Sequence, residues 1–173
     1  ETSSPVAVSA CLARLKEFLK MAGIFDNQVT LITGASSGIG RATALYFGAN
    51  GANVMVADSN VEGGEETVTA IKEAGGEASF VHVDVTHSSE VEAMVARTVE
   101  TYGRLDCAFN NAGIEGYMAG RLHEYPEEIW DRLIDINAKG VFLCLKYEIP
   151  QMLQQGGGAI VNTASMAGLV GTR

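Results

Sequence analysis

From Asn27 onward, short apolar runs rich in β-branched residues alternate with longer amphipathic stretches. This alternation is typical of a parallel sheet whose strands are joined by crossover helices. Because each run is apolar along its whole length, helices should cover both faces of the sheet, and the crossovers should be right-handed. The sequence therefore predicts an α/β fold with a doubly wound parallel sheet. The five predicted strands span 29–33, 53–58, 78–84, 105–110 and 159–163.

Amphipathic patterns predict a helix in each gap between the strands. The second and third helices each start with a Ser-x-x-Glu pattern, at Ser59 to Glu62 and at Ser89 to Glu92, which is typical of a capping box. The fourth helix is long. It should begin at Pro126, a residue suited to the first helical position, and end near Pro150, with room for a break between them.

The chain has 173 residues, which fits a single domain at about 150 residues per domain. Its 12 basic and 21 acidic side chains give a net charge of −9, the wrong sign for binding a nucleic-acid backbone or an anionic membrane surface. No apolar run approaches the ~18 residues that a membrane-spanning helix needs. Three cysteines without a Cys-x-x-Cys pair favour a reducing compartment. We therefore expect a soluble, cytoplasmic protein that binds neither nucleic acid nor membrane.

Residues 1–20 are the one segment that looks separable from this domain. They carry an apolar stripe at helical spacing, which predicts a docking helix or an added segment, and Met21 directly after them could be an initiator. Residues 21–173 then form the main domain. The stripe consists of Val8, Cys11, Leu12, Leu15, Phe18 and Leu19.

Glycines at 34, 38 and 40 follow the first predicted strand and open a helix. Glycine allows a tight turn there and lets the backbone approach a phosphate closely, and the helix N-terminus attracts that phosphate. The spacing, Gly-x-x-x-Gly-x-Gly, differs from Gly-x-Gly-x-x-Gly, and no phosphate-binding loop of the Gly-Lys-Ser/Thr type is present. The loop predicts a dinucleotide site, or else an ordinary glycine-rich connection.

Asp58 ends the second predicted strand, 18 residues after Gly40. A carboxylate at this distance from such a loop can accept hydrogen bonds from both ribose hydroxyls of an adenosine and repels a 2′-phosphate. This position favours NAD over NADP. The alternative is a helix cap or a solvated carboxylate at the end of a strand.

Asn137 falls on the predicted fourth helix within an apolar stripe marked by Trp130, Ile134, Val141 and Leu145. An amide on such a stripe must find partners or destabilise the fold. Asn137 is therefore either a satisfied core amide that bends the helix or part of a site.

Ser165 follows the fifth predicted strand and is either a turn serine near Gly168 or a site residue. The histidines, at 82, 87 and 123, form no His-x-x-x-His pair, and no set of acidic residues has metal-ligand spacing. The sequence therefore predicts no metal site.

Five ordered motifs lie at or beyond the strand ends. They are Thr33-Gly34-x-x-x-Gly38-x-Gly40, Asp84-Val85, Asn110-Asn111-Ala112-Gly113, Asn137 within Ile136 to Gly140, and Ser165 within Ile160 to Gly168. Together they resemble the short-chain dehydrogenase/reductase family, over about residues 26–173. The resemblance implies a Rossmann-type dinucleotide-binding domain with strand order 3-2-1-4-5 and NAD as cofactor. The cofactor-binding residues that it implies are Gly34, Ser36, Ser37, Gly38, Ile39, Gly40, Asp58, Asp84, Val85, Asn111, Ala112 and Gly113.

The chemistry that the resemblance implies is hydride transfer between nicotinamide and a secondary alcohol or ketone. Ser165 would hold the substrate oxygen, and Asn137 would help to seat a water in the proton relay. The family's Tyr-x-x-x-Lys pair, which supplies the acid/base, is absent, since none of the five tyrosines precedes a lysine by four residues. The domain should therefore stop before the family's last helix and strands.

Two functions follow from this pattern. The first is an NAD-dependent oxidoreductase of which this chain is the cofactor-binding portion, without turnover by itself. The second is a non-catalytic nucleotide-binding or interaction module. The family resemblance further implies a homo-oligomer, a dimer or tetramer, in which the fourth helix faces a neighbour, and an apolar fifth strand at the sheet edge should promote self-association.

Overall fold

The structure is a computed structural model that describes residues 23–116, 121–165 and 168. Five parallel strands form one sheet in the order β3-β2-β1-β4-β5. The predicted doubly wound sheet and its strand order are thereby confirmed. The apolar stripe of residues 1–20 and Met21 lie outside the described residues. The strands are β1 (Val29–Thr33), β2 (Asn53–Asp58), β3 (Glu77–His82), β4 (Cys107–Asn110) and β5 (Ala159–Asn162).

Helices connect the strands and cover the sheet. A 3-10 turn (Leu122–Glu124) precedes the fourth helix, and a π-helical segment (Asp135–Gly140) joins the fourth helix to the fifth. The described residues contain five α-helices: α1 (Gly38–Ala49), α2 (Val61–Glu73), α3 (Ser88–Tyr102), α4 (Glu127–Ile134) and α5 (Val141–Gln154).

Three strands are shorter than predicted: β5 ends one residue early, at Asn162, and at β3 and β4 side chains take over the backbone bonds at one end. β3 ends at His82, and two residues later the Asp84 carboxylate accepts hydrogen bonds from Thr86 N and Oγ1, which turns the chain. β4 begins only at Cys107, because the Gln155 side chain binds both the N–H and the carbonyl of Leu105.

Both predicted capping boxes are wrong. α2 begins at Val61, and the side chain of Asn60, rather than Ser59, caps it by accepting from Gly63 N at 3.1 Å. α3 begins at Ser88 after His87, which makes no capping bond. Glu90, the acidic residue in the first turn of α3, instead accepts from Asp84 N at 2.8 Å. Its carboxylate therefore binds the chain beyond β3 rather than the start of its own helix.

The predicted long helix is broken and ends later than expected. Pro126 lies one residue before α4, and the π-helical segment supplies the break. The helix does not end near Pro150, since this proline lies exposed within α5, which continues to Gln154. Met152, in the last turn, is buried in the core, and that burial favours continuing the helix past the proline.

The hydrophobic core lies on both faces of the sheet, because the side chains of buried parallel strands alternate between two helical layers. On one face, Leu31 and Met55 pack with Met94 and Leu143 of α3 and α5. On the other, Ile32 packs among residues of β2, α1 and α2. Every residue of β1 is buried, as expected for the central strand. In the part of the chain that the structure describes, no helix is long and apolar enough to cross a membrane.

Replacing Leu31 by alanine should lower the free energy of unfolding by about 2–5 kcal/mol, because a fully buried leucine side chain is lost at the centre of the sheet. Leu153→Ala is the matched control, since Leu153 on α5 is 73% exposed, and it should change the free energy by less than ~0.5 kcal/mol. Urea unfolding of both variants measures the difference. If both variants lost the same free energy of unfolding, burial of Leu31 in β1 would not contribute to stability as expected.

Candidate functional site

The glycine-rich segment after β1 brings two stretches of backbone into direct contact. Gly34 has a φ of +67°, and a Cβ at this position would lie 2.9 Å from Ala112 Cα. A Cβ on Gly40 would collide with the Gly34 carbonyl and would lie 2.7 Å from Asn111 Nδ2. Side chains here would push α1 away from the strand ends, so the close approach requires glycine.

The first turn of α1 begins at Gly38, directly beyond β1. The first N–H groups of a helix have no partner within the helix and point outward, together with the positive end of the helix dipole. Ser37 makes no side-chain capping bond, and Ile39 turns its side chain to solvent. This end of the loop can therefore bind an anionic group such as a phosphate.

Asp58 lies beside this loop and is held by two backbone N–H groups. Its Oδ2 accepts from Ser36 N at 2.9 Å, and its Oδ1 accepts from Asn60 N at 2.9 Å. It is half-buried and does not cap α2, because Asn60 does so. Each carboxylate oxygen can accept a further hydrogen bond. The carboxylate is therefore fixed in orientation and still able to accept from a ligand.

Thr33 joins the loop to the segment that follows β4. Its hydroxyl accepts from Asn111 N at 3.0 Å and from Ala112 N at 3.1 Å. Asn111 in turn donates from Nδ2 to Thr33 O at 3.2 Å, and its Oδ1 accepts from Thr163 Oγ1 at 3.2 Å. These contacts of Thr33 and Thr163 were not predicted from the sequence. Thr33 could have been found from its place at the C-terminal end of the central strand.

Asp84 and Val85 follow β3 and take different environments. Burial alone would raise the pKa of Asp84, but the bonds from Thr86 and the nearby His87 and His82 outweigh it, and the pKa lies below its usual value. Asp84 is therefore ionised near neutral pH. Val85 is buried and packs on Gly140, where a Cβ would lie 2.8 Å from Val85 Cγ2.

Asn137 is placed differently from the prediction. The π-helical segment turns it out of the apolar stripe, so it is exposed rather than a core amide. Its Oδ1 accepts from Ile114 N and its Nδ2 donates to Ile114 O, both at 2.9 Å. Its Oδ1 would also lie 3.3 Å from a Cβ on Gly113. Asn137 thus ties the π-helical segment, a feature frequent at functional sites, to the segment after β4.

The stripe predicted around Asn137 does not form one buried face. Trp130 is 51% exposed and Ile134 is 41% exposed, whereas the stripe members on α5, Val141 and Leu145, are half-buried. The backbone hydrogen bonds of a π-helical segment span five residues instead of four, so the side chains that follow it no longer keep the period of α4, which a regular helical pattern cannot anticipate.

Ser165 is exposed three residues beyond β5, and its carbonyl accepts from Gly168 N at 3.0 Å. The turn near Gly168 is thus present. Thr163 N still donates to Asn110 O at 3.0 Å, which holds the chain leading to Ser165 against β4.

The strand ends therefore bring most of the predicted residues to one edge of the sheet. The segments after β1, β2 and β4 are in direct hydrogen-bonded contact, and Asn137 joins the last of them. Asp84 lies apart from this group, beyond the edge strand β3, where its backbone N–H donates to Glu90 of α3. Among the described residues, no group of three or more histidine, cysteine or acidic side chains could hold a metal ion.

A family model described as short chain dehydrogenase matches residues 28–173. The chain belongs to the short-chain dehydrogenase family. An uncharacterized oxidoreductase of Thermotoga maritima is 50% identical over 147 residues, which cover 85% of this chain and 57% of that relative. Cyclohexanol dehydrogenase of Acinetobacter sp. (strain SE19) is 45% identical over 151 residues, which cover 87% of this chain and 60% of that relative.

Solved structures of this family superpose closely on the described fold. The crystal structure of levodione reductase gives a TM-score of 0.82 at 41% identity and covers 86% of this chain and 58% of its own. The crystal structure of NAD⁺-bound xylitol dehydrogenase gives a TM-score of 0.83 at 39% identity. This match covers 86% of this chain and 57% of the xylitol dehydrogenase chain. This short-chain dehydrogenase sequence thus spans 57–60% of the length of these four relatives. The family binds nicotinamide cofactors in a Rossmann-type nucleotide-binding fold.

Replacing Thr33 by valine should lower the free energy of unfolding by about 1–3 kcal/mol, because the N–H groups of Asn111 and Ala112 lose their shared acceptor. Thr33→Ser keeps the hydroxyl and is the matched control, with a smaller loss. Urea unfolding measures both. If the valine variant were as stable as the serine variant, the hydroxyl would not hold the two segments together.

Proposed function

We propose that the intact protein is an NAD-dependent oxidoreductase that transfers a hydride between C4 of nicotinamide and the carbinol or carbonyl carbon of a small secondary alcohol or ketone. The observation that carries this proposal is the Asp58 carboxylate, fixed by Ser36 N and Asn60 N beside the glycine-rich loop. An acidic group in this position favours a free ribose over a phosphorylated one.

The described residues fit a dinucleotide. The pyrophosphate would lie on the first turn of α1, next to Ser36, Ser37, Gly38 and Ile39, where a phosphate meets free N–H groups. The Gly34 and Gly40 contacts leave no room for side chains between the loop and Asn111–Gly113, and that segment would line the cofactor. Asp84 and Val85 would lie beside adenine.

Charge supports NAD over NADP as well. A 2′-phosphate needs a cationic partner, and the basic residue of α1, Arg41, is paired with Glu66 Oε2 at 3.2 Å. The similarity to a xylitol dehydrogenase solved with NAD⁺ bound is in keeping with this choice.

When bound, the nicotinamide supplies the hydride acceptor or donor. Ser165 would donate a hydrogen bond to the substrate oxygen, where negative charge develops during hydride transfer. Asn137, already held by Ile114, would help to seat a water in the proton relay. The 173 residues contain no Tyr-x-x-x-Lys pair, so they provide no tuned phenol to act as general acid or base.

The substrate class follows from relatives that bear the names cyclohexanol dehydrogenase, 3beta-hydroxysteroid dehydrogenase and levodione reductase. We further propose a cytoplasmic homo-oligomer that binds neither nucleic acid nor membrane. The exposed apolar side chains of Trp130 on α4 and Phe142 on α5 support association through these two helices.

Asp58→Ala should weaken NADH binding by about 10- to 100-fold, because hydrogen bonds to a charged group are lost. It should weaken NADPH binding much less, or strengthen it, since the repulsion of the 2′-phosphate also disappears. Fluorescence titration of the intact gene product with both cofactors measures the ratio. Glu62→Ala, which removes an exposed carboxylate at the start of α2, is the control and should leave the ratio unchanged. Tighter binding of NADPH than of NADH by the wild type would contradict the assignment.

Residues 1–173 alone should show no appreciable NAD-dependent oxidation of secondary alcohols, because they lack the general acid/base, whose help is worth ~10² to 10⁴ in rate. The intact gene product should be active, and Ser165→Ala should lower its kcat by about 10² to 10³ through loss of a hydrogen-bond donor. NADH absorbance measures both. Ser89→Ala, an exposed serine on α3, is the control. Robust turnover by residues 1–173 would show that another residue acts as the base.

A further inference from the structure

Glu148 on α5 is fully buried, although it is a carboxylic acid. Its Oε2 accepts from Asn110 Nδ2 at 2.9 Å, and the same Nδ2 donates to Asn162 Oδ1 at 3.0 Å. The described residues form no salt bridge with Glu148. A buried acid that lacks a cationic partner is costly unless it is neutral.

The side chains of Glu148, Asn110 and Asn162 form a buried polar cluster that has one hydrogen-bond donor too few. Asn110 Nδ2 has two hydrogens, and both are used. Among the described residues, Asn110 Oδ1 and Glu148 Oε1 are buried without a partner. A proton on Glu148 supplies the missing donor, since a carboxylic acid and a primary amide can pair through two hydrogen bonds, one in each direction. With the proton on Oε1, Glu148 can donate to Asn110 Oδ1, so both unpaired oxygens gain a partner.

The surroundings of Glu148 support the neutral form. Burial raises its pKa to about 7, and the bond from Asn110 lowers it only in part. Burial raises the pKa of Cys144, one turn earlier on α5, to about 12, so this thiol stays neutral and adds no charge beside Glu148. The neighbouring Tyr147 turns its hydroxyl to Ser88 of α3 at 2.8 Å. The rest of α3 in this core cluster is apolar, at Val91, Met94 and Val95.

The cluster lies directly behind the segment that would line the cofactor. Asn110 ends β4, is paired in register with Asn162 of β5, and precedes Asn111–Gly113. The next two N–H groups bind Thr33. A change at the Asn110 side chain therefore acts on the backbone that holds this segment in place.

We propose that Glu148 is a positioning residue: in its protonated form it pairs with Asn110 and holds Asn111–Gly113 in the arrangement that binds the dinucleotide. Loss of the proton leaves a buried negative charge on Glu148 and no donor for Asn110 Oδ1, and it loosens the end of β4. This inference rests on the proposed function, because its readout is cofactor binding.

The direction of the pH effect follows from the raised pKa. The folded protein keeps the proton of Glu148 up to about pH 7, whereas an unperturbed glutamate loses it near 4.5. The stabilisation is complete below the unfolded value and is lost as pH rises through the folded value. Cofactor affinity should fall over the same upper range, and by reciprocity NADH binding near pH 7 should take up protons.

The test measures the dissociation constant of NADH for the intact gene product between about pH 6 and pH 8.5, with proton uptake followed by calorimetry in two buffers. In the wild type, the constant should rise about 5- to 10-fold, the loss expected for about one hydrogen bond. Glu148→Gln is neutral at every pH and can both accept from and donate to Asn110. This variant should bind NADH at every pH as tightly as the wild type does at low pH. The side chain at position 148 should then take up no proton on binding.

Two further variants separate positioning from simple packing. Glu148→Leu fills the space without polar atoms, so it should bind NADH about 5- to 10-fold more weakly at every pH. Cys144→Ala removes a buried side chain from the same helix but no bond to Asn110, and it should keep the pH dependence of the wild type. His82 and His87, which lie near Asp84, are present in all variants, so any contribution from them cancels in the comparison.

If the glutamine variant showed the same pH dependence as the wild type, or if the leucine variant bound NADH as tightly, the positioning role would be wrong while the proposed function stood. If the wild type bound no NADH at any pH, the proposed function would be wrong, and the positioning role with it.

Discussion

The pairing of β1 with β2 on one side and with β4 on the other is the constraint on which the site depends. At this point the strand order reverses, and in open α/β sheets ligands bind at the carboxyl edge of the sheet at such a point. The Thr33 hydroxyl holds the two sides of this point together by accepting from the backbone beyond β4. Because every residue of β1 is buried, the strand that positions Thr33 is part of the packed core.

Small residues set the spacing at this edge of the sheet. Gly34 and Gly40 let the loop touch the backbone of Ala112 and the side chain of Asn111, and Gly140 lets the π-helical segment pack on Val85. In each case a Cβ would force backbone or buried atoms apart. The close contacts leave backbone N–H groups exposed at the edge of the sheet, where they can meet an anionic ligand.

Three carboxylates near the strand ends show how the environment decides the chemistry of one functional group. Asp58 is oriented by two backbone N–H groups and can still accept from a ligand. Asp84 keeps its charge through Thr86 and two histidines. Glu148 is buried without a cation, and its pKa is raised to about 7. The first two carboxylates are held where a ligand can approach, whereas the role proposed for the third requires its neutral form.

The sequence by itself determined the parallel sheet, the strand order expected from the family resemblance, and the place of the glycine-rich loop and Asp58, because apolar runs and glycine spacing are local signals. It could not determine which groups share hydrogen bonds across the fold. Asn60 displaced Ser59 as a helix cap, Gln155 shortened β4, and the π-helical segment turned Asn137 out of its predicted stripe. Likewise, only the tertiary structure brought Glu148 to Asn110, 38 residues away, since the cost of burying a charge depends on what surrounds it rather than on its neighbours in the chain.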